Sequence, residues 1–301
     1  MNAITKVTFL DDNGEKFFGN GPAQLLHEIE TTGSLRAAAI SMNMAYTKAL
    51  KILKQAERSL GFSLTIRSAG GKDGGGSQLT PEGKEWLTRY ESYRDACILA
   101  NQQIYLKHFG NIGCVIMASG LAKRFGSNKL MEDFHGTPVI DHVLSATEGL
   151  FAKRVVVTRN EEVARFCSPK NLDVILHELP LRSDTIRLGI QKLGNSLDGC
   201  MFLQGDQPLI RRETITSMAL TAMQNKTAII QAACGDVCGS PVLFPNWTFP
   251  ELLELPQGKG GNFIIKKYPE HVRTIQVRDS FELKDIDTPE DLSELLAVQI
   301  M

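Results

Sequence analysis

The chain has 301 residues, enough for one large domain or two ordinary ones, and 43% of them are hydrophobic, so a substantial core can form. A net charge of −1 excludes a chain that binds nucleic acid through overall positive charge. The sequence has neither an apolar run long enough to cross a membrane nor the N-terminal pattern of a secretion signal. Six cysteines are scattered along it without the density of a disulfide framework, so we expect a cytoplasmic protein.

The first predicted elements are three helices. GPAQLLHEIETT (21–32) places apolar residues on one helical face, and Ser34 is a good N-cap for the short helix LRAAAISM. Residues 45–60 form a longer third helix. Two helices joined by a tight turn predict a helix-turn-helix, whose second helix can enter the major groove of double-stranded DNA. In this interpretation the DNA-facing residues of the third helix are Tyr46, Thr47, Lys48 and Lys51.

A glycine-rich hairpin and a long helix follow. FSLTIRSAGGKDGGGSQLT (62–80) alternates around a glycine tip, which predicts a β-hairpin in which Arg67 and Lys72 can contact phosphate. Thr80 and Pro81 then start a helix with an apolar stripe at heptad spacing. Packing against the domain's own core usually explains such a stripe, and dimerisation is the alternative. The stripe consists of Trp86, Tyr90, Tyr93, Cys97, Ala100 and Ile104.

The segments GSLRAAAISMNMAYTKALK and GGKDGGGSQLTPEGKEWLTRY resemble the N-terminal winged-helix domain of the ModE family of molybdate-responsive transcription regulators. The resemblance covers residues 17–95, and the wing is its most specific part. The chain departs from the family's usual recognition helix at Ala45 and Leu50. The resemblance implies that residues 1–107 form a DNA-binding and dimerisation domain, and that the protein is a homodimer.

After a short joint near residue 110, β-branched runs alternate with helical segments. This alternation predicts an α/β fold with a mainly parallel sheet and helices on both faces. In such sheets ligands bind beyond the carboxyl ends of the strands. The predicted strands are 113–118, 154–158, 173–176, 200–205, 228–233 and 274–277.

The first of these strands ends in a basic, glycine-containing loop, VIMASGLAKRFGSNKL (115–130). Gly120 and Gly126 allow backbone amides to approach a ligand, while Arg124 and Lys129 can neutralise phosphate charge. The spacing matches neither a Walker loop nor G-x-G-x-x-G. From these residues alone, a phosphate-binding loop and an exposed surface loop both remain open.

Two carboxylates offer a candidate magnesium site. Asp206 in FLQGDQPLI (202–210) directly follows a buried strand, and Mg²⁺ favours one or two carboxylates together with phosphate oxygens. An exposed turn explains Asp206 equally well by itself. Asp287 lies in LKDIDTPEDL (283–292), where Thr288 and Pro289 also make a good helix start, so Asp287 is either a metal ligand or a neighbour of that cap.

Taken together and in this order, ASGLAKRFGSNK, GDQP and DIDTPEDL resemble the MobA/MocA group of nucleotidyltransferases, which attach nucleotides to the pterin of the molybdenum cofactor. The resemblance covers residues 111–301 and implies the Rossmann-like fold of nucleotide-diphospho-sugar transferases. It implies that residues 118–129 bind a triphosphate, that Arg124, Lys129 and Asp206 are catalytic, and that Asp206 and Asp287 hold Mg²⁺.

The resemblance also bears on the substrates. The guanylyl branch typically has Ala-Gly-Gly before the loop and the cytidylyl branch Ala-Ala-Gly, whereas this chain has Ala118-Ser119-Gly120. A side chain at position 119 disfavours a purine, so we expect CTP. RSDTIRLG (182–189) occupies a substrate-facing position, which makes Arg182, Ser183 and Asp184 site candidates, although Ser183 can also simply cap a helix. Two further segments resemble the loops on the pterin side, namely GSPVLFP (239–245) and GKGGNF (258–263).

The expected reaction is transfer of CMP from CTP to molybdopterin, with a molybdenum hydroxylase apoenzyme as recipient of the product. Two alternatives stay open. The first is a DNA-binding regulator whose enzyme-like half senses nucleotide or pterin, and the second is guanylyl transfer from GTP. The sequence gives none of the six histidines a partner, and Cys234 and Cys238 lack the further ligands of a zinc site.

Overall fold

A computed structural model describes residues 3–67, 76–120 and 125–298 of the chain. The predicted contacts Arg124 and Lys72 lie outside these ranges. The chain divides into two compact units, Met1–Asn101 and Gln102–Met301.

The first unit is a helix-turn-helix with small hairpins. Its elements are β1 (Phe9–Leu10), β2 (Lys16–Phe18), α1 (Asn20–Thr32), α2 (Leu35–Ser41), α3 (Tyr46–Leu60), β3 (Thr65–Arg67), β4 (Ser77–Leu79) and α4 (Pro81–Phe109), a helix that continues past residue 101. Gly33, at a left-handed φ of 68°, ends α1, and the Ser34 hydroxyl caps α2 by accepting from the Ala37 amide. Left-handed backbone favours glycine, so the sequence Gly-Ser fixes the tight turn between the two helices.

The core of this unit lies between α1, α2 and α3. The predicted apolar face of α1 is fully buried, and α3 contributes Ala49, Leu53 and Ala56. The hairpins β1–β2 and β3–β4 are both antiparallel. A helix-turn-helix followed by a β-hairpin is therefore the observed architecture.

The apolar stripe of α4 does not behave as one surface. Trp86 and Tyr90 pack in the core of the first unit, where Phe18 contacts both rings edge-on. Further along, Tyr93 and Ile104 are 53% and 58% exposed. Core packing thus accounts for the start of the stripe but leaves its later part uncovered.

The second unit contains a seven-stranded sheet with the strand order β13-β11-β12-β10-β5-β8-β9. Strands β10, β5, β8 and β9 are mutually parallel, as are β11 and β13, while β12 is antiparallel to both of its neighbours. The strands are β5 (Ile112–Ala118), β6 (Asp133–Phe134), β7 (Thr137–Pro138), β8 (Lys153–Thr158), β9 (Asp173–Leu176), β10 (Gly199–Gln204), β11 (Ile229–Cys234), β12 (Val237–Pro245) and β13 (Val272–Gln276). Strands β6 and β7 form a separate small hairpin.

Beyond α4 the described residues form seven more α-helices, and buried apolar clusters lie on both faces of the sheet. The helices are α5 (Val139–Thr147), α6 (Glu161–Cys167), α7 (Arg182–Leu193), α8 (Arg212–Gln224), α9 (Phe249–Leu253), α10 (Asn262–Lys267) and α11 (Pro289–Leu296). Side chains cap several of them: Asn160 accepts from two amides at the start of α6, and Thr288 accepts from the Asp291 amide at the start of α11. Over the described residues, no helix is long and apolar enough to cross a membrane.

The observed architecture confirms the predicted α/β fold with an N-terminal helix-turn-helix. All six predicted strands are present, within two residues at each end. One expectation was wrong: residues 239–245 belong to strand β12 rather than to a loop. Because β12 pairs with a strand on each side, Gly239-Ser240-Pro241 is accommodated in the part of β12 that precedes its pairing with β10, which begins at Val242.

Candidate active site

The candidate site lies beyond the carboxyl ends of the parallel strands β5, β8 and β10. Thr158, at the end of β8, donates its hydroxyl to the carbonyl of Ala118, at the end of β5. The next residue, Arg159, donates from both Nε and Nη2 to the carbonyl of Ser119 at 2.9 and 2.7 Å. Ser119 and Gly120 therefore leave the sheet along a path fixed by the neighbouring strand.

Lys129 occupies the centre of the site. It begins a short 3-10 helix after Gly126, which has a left-handed φ of 83°. Its Nζ lies 2.6 Å from Oδ2 of Asp206 and 3.0 Å from Oδ1 of Asp287. The Lys129 side chain is only 8% exposed, so its charge is neutralised by these two carboxylates rather than by water. Burial lowers its pKa, but the two carboxylates outweigh that effect, so the pKa is raised and the ammonium stays charged.

The three groups are far apart in the chain and are brought together by hydrogen bonds between loops. The Ile286 amide donates to the carbonyl of Asp206 at 3.0 Å. The Gln207 side chain donates from Nε2 to the carbonyl of Leu283 at 3.0 Å. These two bonds set the spacing of the Asp206 and Asp287 carboxylates. Thr288 caps α11 at the same time, so Asp287 is both a neighbour of a helix cap and a partner of Lys129.

A third carboxylate, Asp285, belongs to the same cluster, although sequence reasoning did not single it out. Desolvation and the charges of Asp206 and Asp287 raise its pKa to about 6, against the opposing effects of a hydrogen bond from Gln207 and the charge of Lys129. Asp285 still retains an exposed surface. The alternation within Asp285-Ile286-Asp287, with Ile286 fully buried, is the signal that both carboxylates lie on one side of the segment.

A cavity of about 270 Å³ opens beside the first strand end. Its lining includes Ser119, Gly120 and Arg159, together with Arg182 and Thr185 at the start of α7. Polar backbone and a guanidinium therefore face this space. Arg159 was not predicted, but its place directly after β8 is the strand-end position at which ligand-binding residues of α/β sheets are found.

A second cavity, of about 280 Å³, shares Met117, Arg182 and Gln204 with the first. Its lining includes Ser240 of β12 and Asn262 of α10, so the two segments expected on the acceptor side do meet here. Gly261 lies tightly against the Phe244 ring: a Cβ at position 261 would be 2.6 Å from Cζ of Phe244. The glycine run thus lets α10 approach β12 closely.

The candidates at the start of α7 have different surroundings. Arg182 lines both cavities. Ser183 is fully buried, and its hydroxyl accepts from the Gly258 amide at 3.4 Å, which links α7 to the loop before α10. The Asp184 carboxylate accepts from the Leu181 amide and from Arg187, so it stabilises the beginning of the helix. Among the three, Arg182 is the side chain that faces open space.

His177 has a partner that the sequence did not reveal. Its Nε2 lies 2.9 Å from the hydroxyl of Ser119, while its Nδ1 is buried without a hydrogen-bond partner among the described residues. Burial, followed by the charge of Arg159, lowers the pKa of His177, so the ring is neutral near pH 7. The sequence showed no partner for His177 and favoured a surface or hydrogen-bonded histidine; the structure supplies the partner, because His177 follows β9, two strands away from the strand that Ser119 follows.

In the first unit the four residues predicted to face DNA are all exposed on α3. Tyr46 is 42% exposed, and Thr47, Lys48 and Lys51 are exposed as well. The backbone of Arg67 ends β3.

The described residues contain no cluster of three or more His, Cys, Asp or Glu side chains arranged to hold a metal ion by themselves. Asp206 and Asp287 nevertheless fit a divalent cation that receives its remaining ligands from phosphate and water. The Lys129 ammonium lies between one oxygen of each carboxylate, so the two side chains converge on a single positive charge. The donor set is all oxygen, as Mg²⁺ requires.

Each unit is similar to a known family of proteins. The sequence model of the MobA-like NTP transferase domain matches residues 114–272. The model of bacterial regulatory helix-turn-helix proteins of the LysR family matches residues 23–84. A protein of Aquifex aeolicus described as "Probable molybdenum cofactor guanylyltransferase" is 26% identical over 190 residues, which span 62% of this chain and 90% of that protein.

Solved structures agree on the fold of the second unit. Rv0371c from Mycobacterium tuberculosis superposes with a TM-score of 0.57 at 23% identity, covering 62% of this chain and 99% of that one. A complex of the same protein with manganese superposes with a TM-score of 0.52 at 22% identity, covering 62% and 100%. The regulatory helix-turn-helix is thus joined to a nucleotidyltransferase fold in a single chain.

Proposed function

The chain belongs to the family of proteins with a MobA-like NTP transferase domain, and on that premise we propose that it transfers CMP from CTP to the terminal phosphate of molybdopterin. Pyrophosphate is the second product. The convergence of Lys129, Asp206 and Asp287 carries this proposal. Lys129 belongs to the basic loop and the two aspartates belong to the other two motifs, so this contact brings all three sequence motifs together.

In the proposed reaction a phosphate oxygen of the acceptor attacks the α-phosphorus of CTP. The bond from that phosphorus to the oxygen bridging to the β-phosphate breaks, and pyrophosphate leaves with the bonding electron pair. A phosphate monoester is already ionised near pH 7, so no protein base is needed. The work of the protein is to align the reactants and to neutralise charge.

Each residue then has a defined task. Asp206 and Asp287 hold Mg²⁺, which when bound neutralises charge on the phosphates. Lys129 and Arg124 bind the triphosphate and the departing pyrophosphate. Ala118, Ser119, Gly120 and Gly126 form the backbone of the nucleotide loop. The manganese complex of the similarly folded Mycobacterium tuberculosis protein is in keeping with a divalent cation in this fold.

We propose that the cavity of about 270 Å³ lined by Ser119, Gly120 and Arg159 binds the nucleotide. The cavity of about 280 Å³ that contains Ser240 and Asn262 is proposed to bind the pterin. Arg182 lines both cavities together with Met117 and Gln204, and it is the cationic side chain among these three that is placed to contact both substrates. CTP is favoured over GTP because position 119 carries a side chain. Guanylyl transfer stays the direct alternative, and the relative from Aquifex aeolicus is described with that activity.

A second role is proposed for the first unit, namely binding to double-stranded DNA as a homodimer. The exposed side chains of α3 support DNA binding, since Lys48 and Lys51 can contact phosphate while Tyr46 and Thr47 face the groove. Arg67 and Lys72 of the wing complete this proposed surface. The uncovered Tyr93 and Ile104 of α4 support self-association.

The test of the enzymatic proposal is pyrophosphate release with Mg²⁺ and molybdopterin, in which CTP, GTP, ATP and UTP are compared. Release with CTP, lost in Asp206→Asn while the circular dichroism spectrum is unchanged, is the expected result. Release with GTP alone would replace CTP in the proposal. No release with any nucleotide, from folded protein and a competent acceptor, would leave the DNA-binding regulator as the better account.

A further inference from the structure

In the lining of the proposed nucleotide cavity, the side-chain hydroxyl of Ser119 already has two protein partners. Its hydroxyl donates to the carbonyl of Val157 in β8 at 3.0 Å. The same oxygen lies 2.9 Å from Nε2 of His177. A hydroxyl has one proton, so both contacts are hydrogen bonds only when Ser119 donates to Val157 and His177 donates to Ser119.

The surroundings of His177 favour the same assignment. Among the described residues its buried Nδ1 has no hydrogen-bond partner, and a buried donor without an acceptor is costly, so this arrangement favours the proton on Nε2. The His177 amide also donates to the carbonyl of Thr158 at 3.0 Å, which anchors the residue to the end of β8. The result is a directed chain of hydrogen bonds that runs from His177 through Ser119 to Val157.

The carbonyl of Ser119 has an equally definite partner, since Arg159 donates to it from two nitrogens. The hydroxyl proton and the carbonyl are therefore both committed to the protein. A nucleobase in this cavity would contact the Ser119 side chain but would not accept a hydrogen bond from its hydroxyl. Selectivity at this position would then depend on shape, provided that the hydroxyl remains held.

We propose that His177 is a positioning residue that determines base selectivity by holding the Ser119 hydroxyl on the carbonyl of Val157. This inference rests on the proposed nucleotide cavity and deepens it. Without the donor at position 177, the hydroxyl is free to rotate and to hydrogen-bond to a base. The Ser119 hydroxyl would then be available to hydrogen-bond to a guanine base, which the native protein is proposed to disfavour.

The test is a double-mutant cycle with nucleotide dissociation constants as the readout. The ratio of the constants for CTP and GTP is measured by calorimetry in wild type, His177→Leu, Ser119→Ala and the double variant. We expect His177→Leu to change the ratio by about fivefold, the effect of one ordinary hydrogen bond. In the Ser119→Ala background the same substitution should leave the ratio unchanged, because His177 acts through the hydroxyl.

Two further variants separate positioning from structural damage. His177→Gln carries an amide donor near the place of Nε2 and should restore the native ratio. His271→Leu, beside strand β13 at the opposite edge of the sheet, is the matched control and should leave it unchanged. An unchanged ratio in His177→Leu, or the same change with and without Ser119, overturns the inference. Failure of the wild type to bind any nucleotide would instead refute the proposed function.

Discussion

Lys129→Met should destabilise the second unit more than the loss of an ordinary ion pair, because it removes an ammonium that neutralises the Asp206 and Asp287 carboxylates at the same time. Breaking a buried pair costs about 3–5 kcal/mol. Here the Asp206 and Asp287 side chains are 18% and 42% exposed, so water screens part of that cost. We therefore expect a loss of about 1–3 kcal/mol in the free energy of unfolding.

The assay is urea unfolding without nucleotide, in EDTA and again with Mg²⁺. Lys170→Met is the matched control: Lys170 lies 2.6 Å from Asp141, and its side chain is 34% exposed, so its loss should cost less than about 1 kcal/mol. Mg²⁺ should stabilise the Lys129 variant more than the wild type, since it no longer competes with the ammonium for the carboxylates. A Lys129→Met variant as stable as the Lys170→Met control, or one that Mg²⁺ does not stabilise, would contradict the role of Lys129 in neutralising the two carboxylates.

Three further predictions concern pH, packing and DNA. The pKa of Asp285 in the folded state, about 6, lies above its ordinary value of 3.8, so the stability contributed by its proton is present at low pH and is lost as the pH rises through 6. Asp285→Asn should flatten the pH dependence of the urea midpoint between about pH 4 and 6, and an unchanged slope would count against it. Gly261→Ala should cost about 1–3 kcal/mol through its contact with Phe244, whereas Gly120→Ala, whose new Cβ has no heavy atom of the described residues within 4 Å, should unfold like wild type. Lys51→Ala should weaken binding to random-sequence duplex DNA and lower the slope of log affinity against log salt by about 1, as measured by fluorescence anisotropy; an unchanged slope would remove Lys51 from the interface.

Local patterns predicted much of the fold because they act over short distances. The apolar face of α1, the Ser34 cap and the Thr288 cap all depend on residues a few positions apart, and all three are present. Strand β12 was not predicted because Gly239-Ser240-Pro241, which lies within it, is typical of a loop. Only its pairing with two neighbours, which is a long-range effect, makes it a strand.

The site was predicted as a set of motifs but not as a set of contacts. Sequence order brought Lys129, Asp206 and Asp287 into one hypothesis, and the structure gives their spacing. The partnership of Ser119 with His177 depends on β5, β8 and β9 lying side by side, which no local pattern specifies. Ser183 was a site candidate because the family resemblance places residues 182–189 beside the substrates, yet its hydroxyl accepts a hydrogen bond from the Gly258 amide.

The most direct test of the central claim is to follow the label from CTP labelled at the α-phosphorus, with the purified protein, Mg²⁺ and molybdopterin. We expect the α-label to appear in the pterin product, with one labelled product for each pyrophosphate released. Label at the γ-phosphorus should appear only in pyrophosphate. Label that stays in the nucleotide pool with folded wild-type protein and a competent acceptor would contradict the claim that this site transfers a nucleotide.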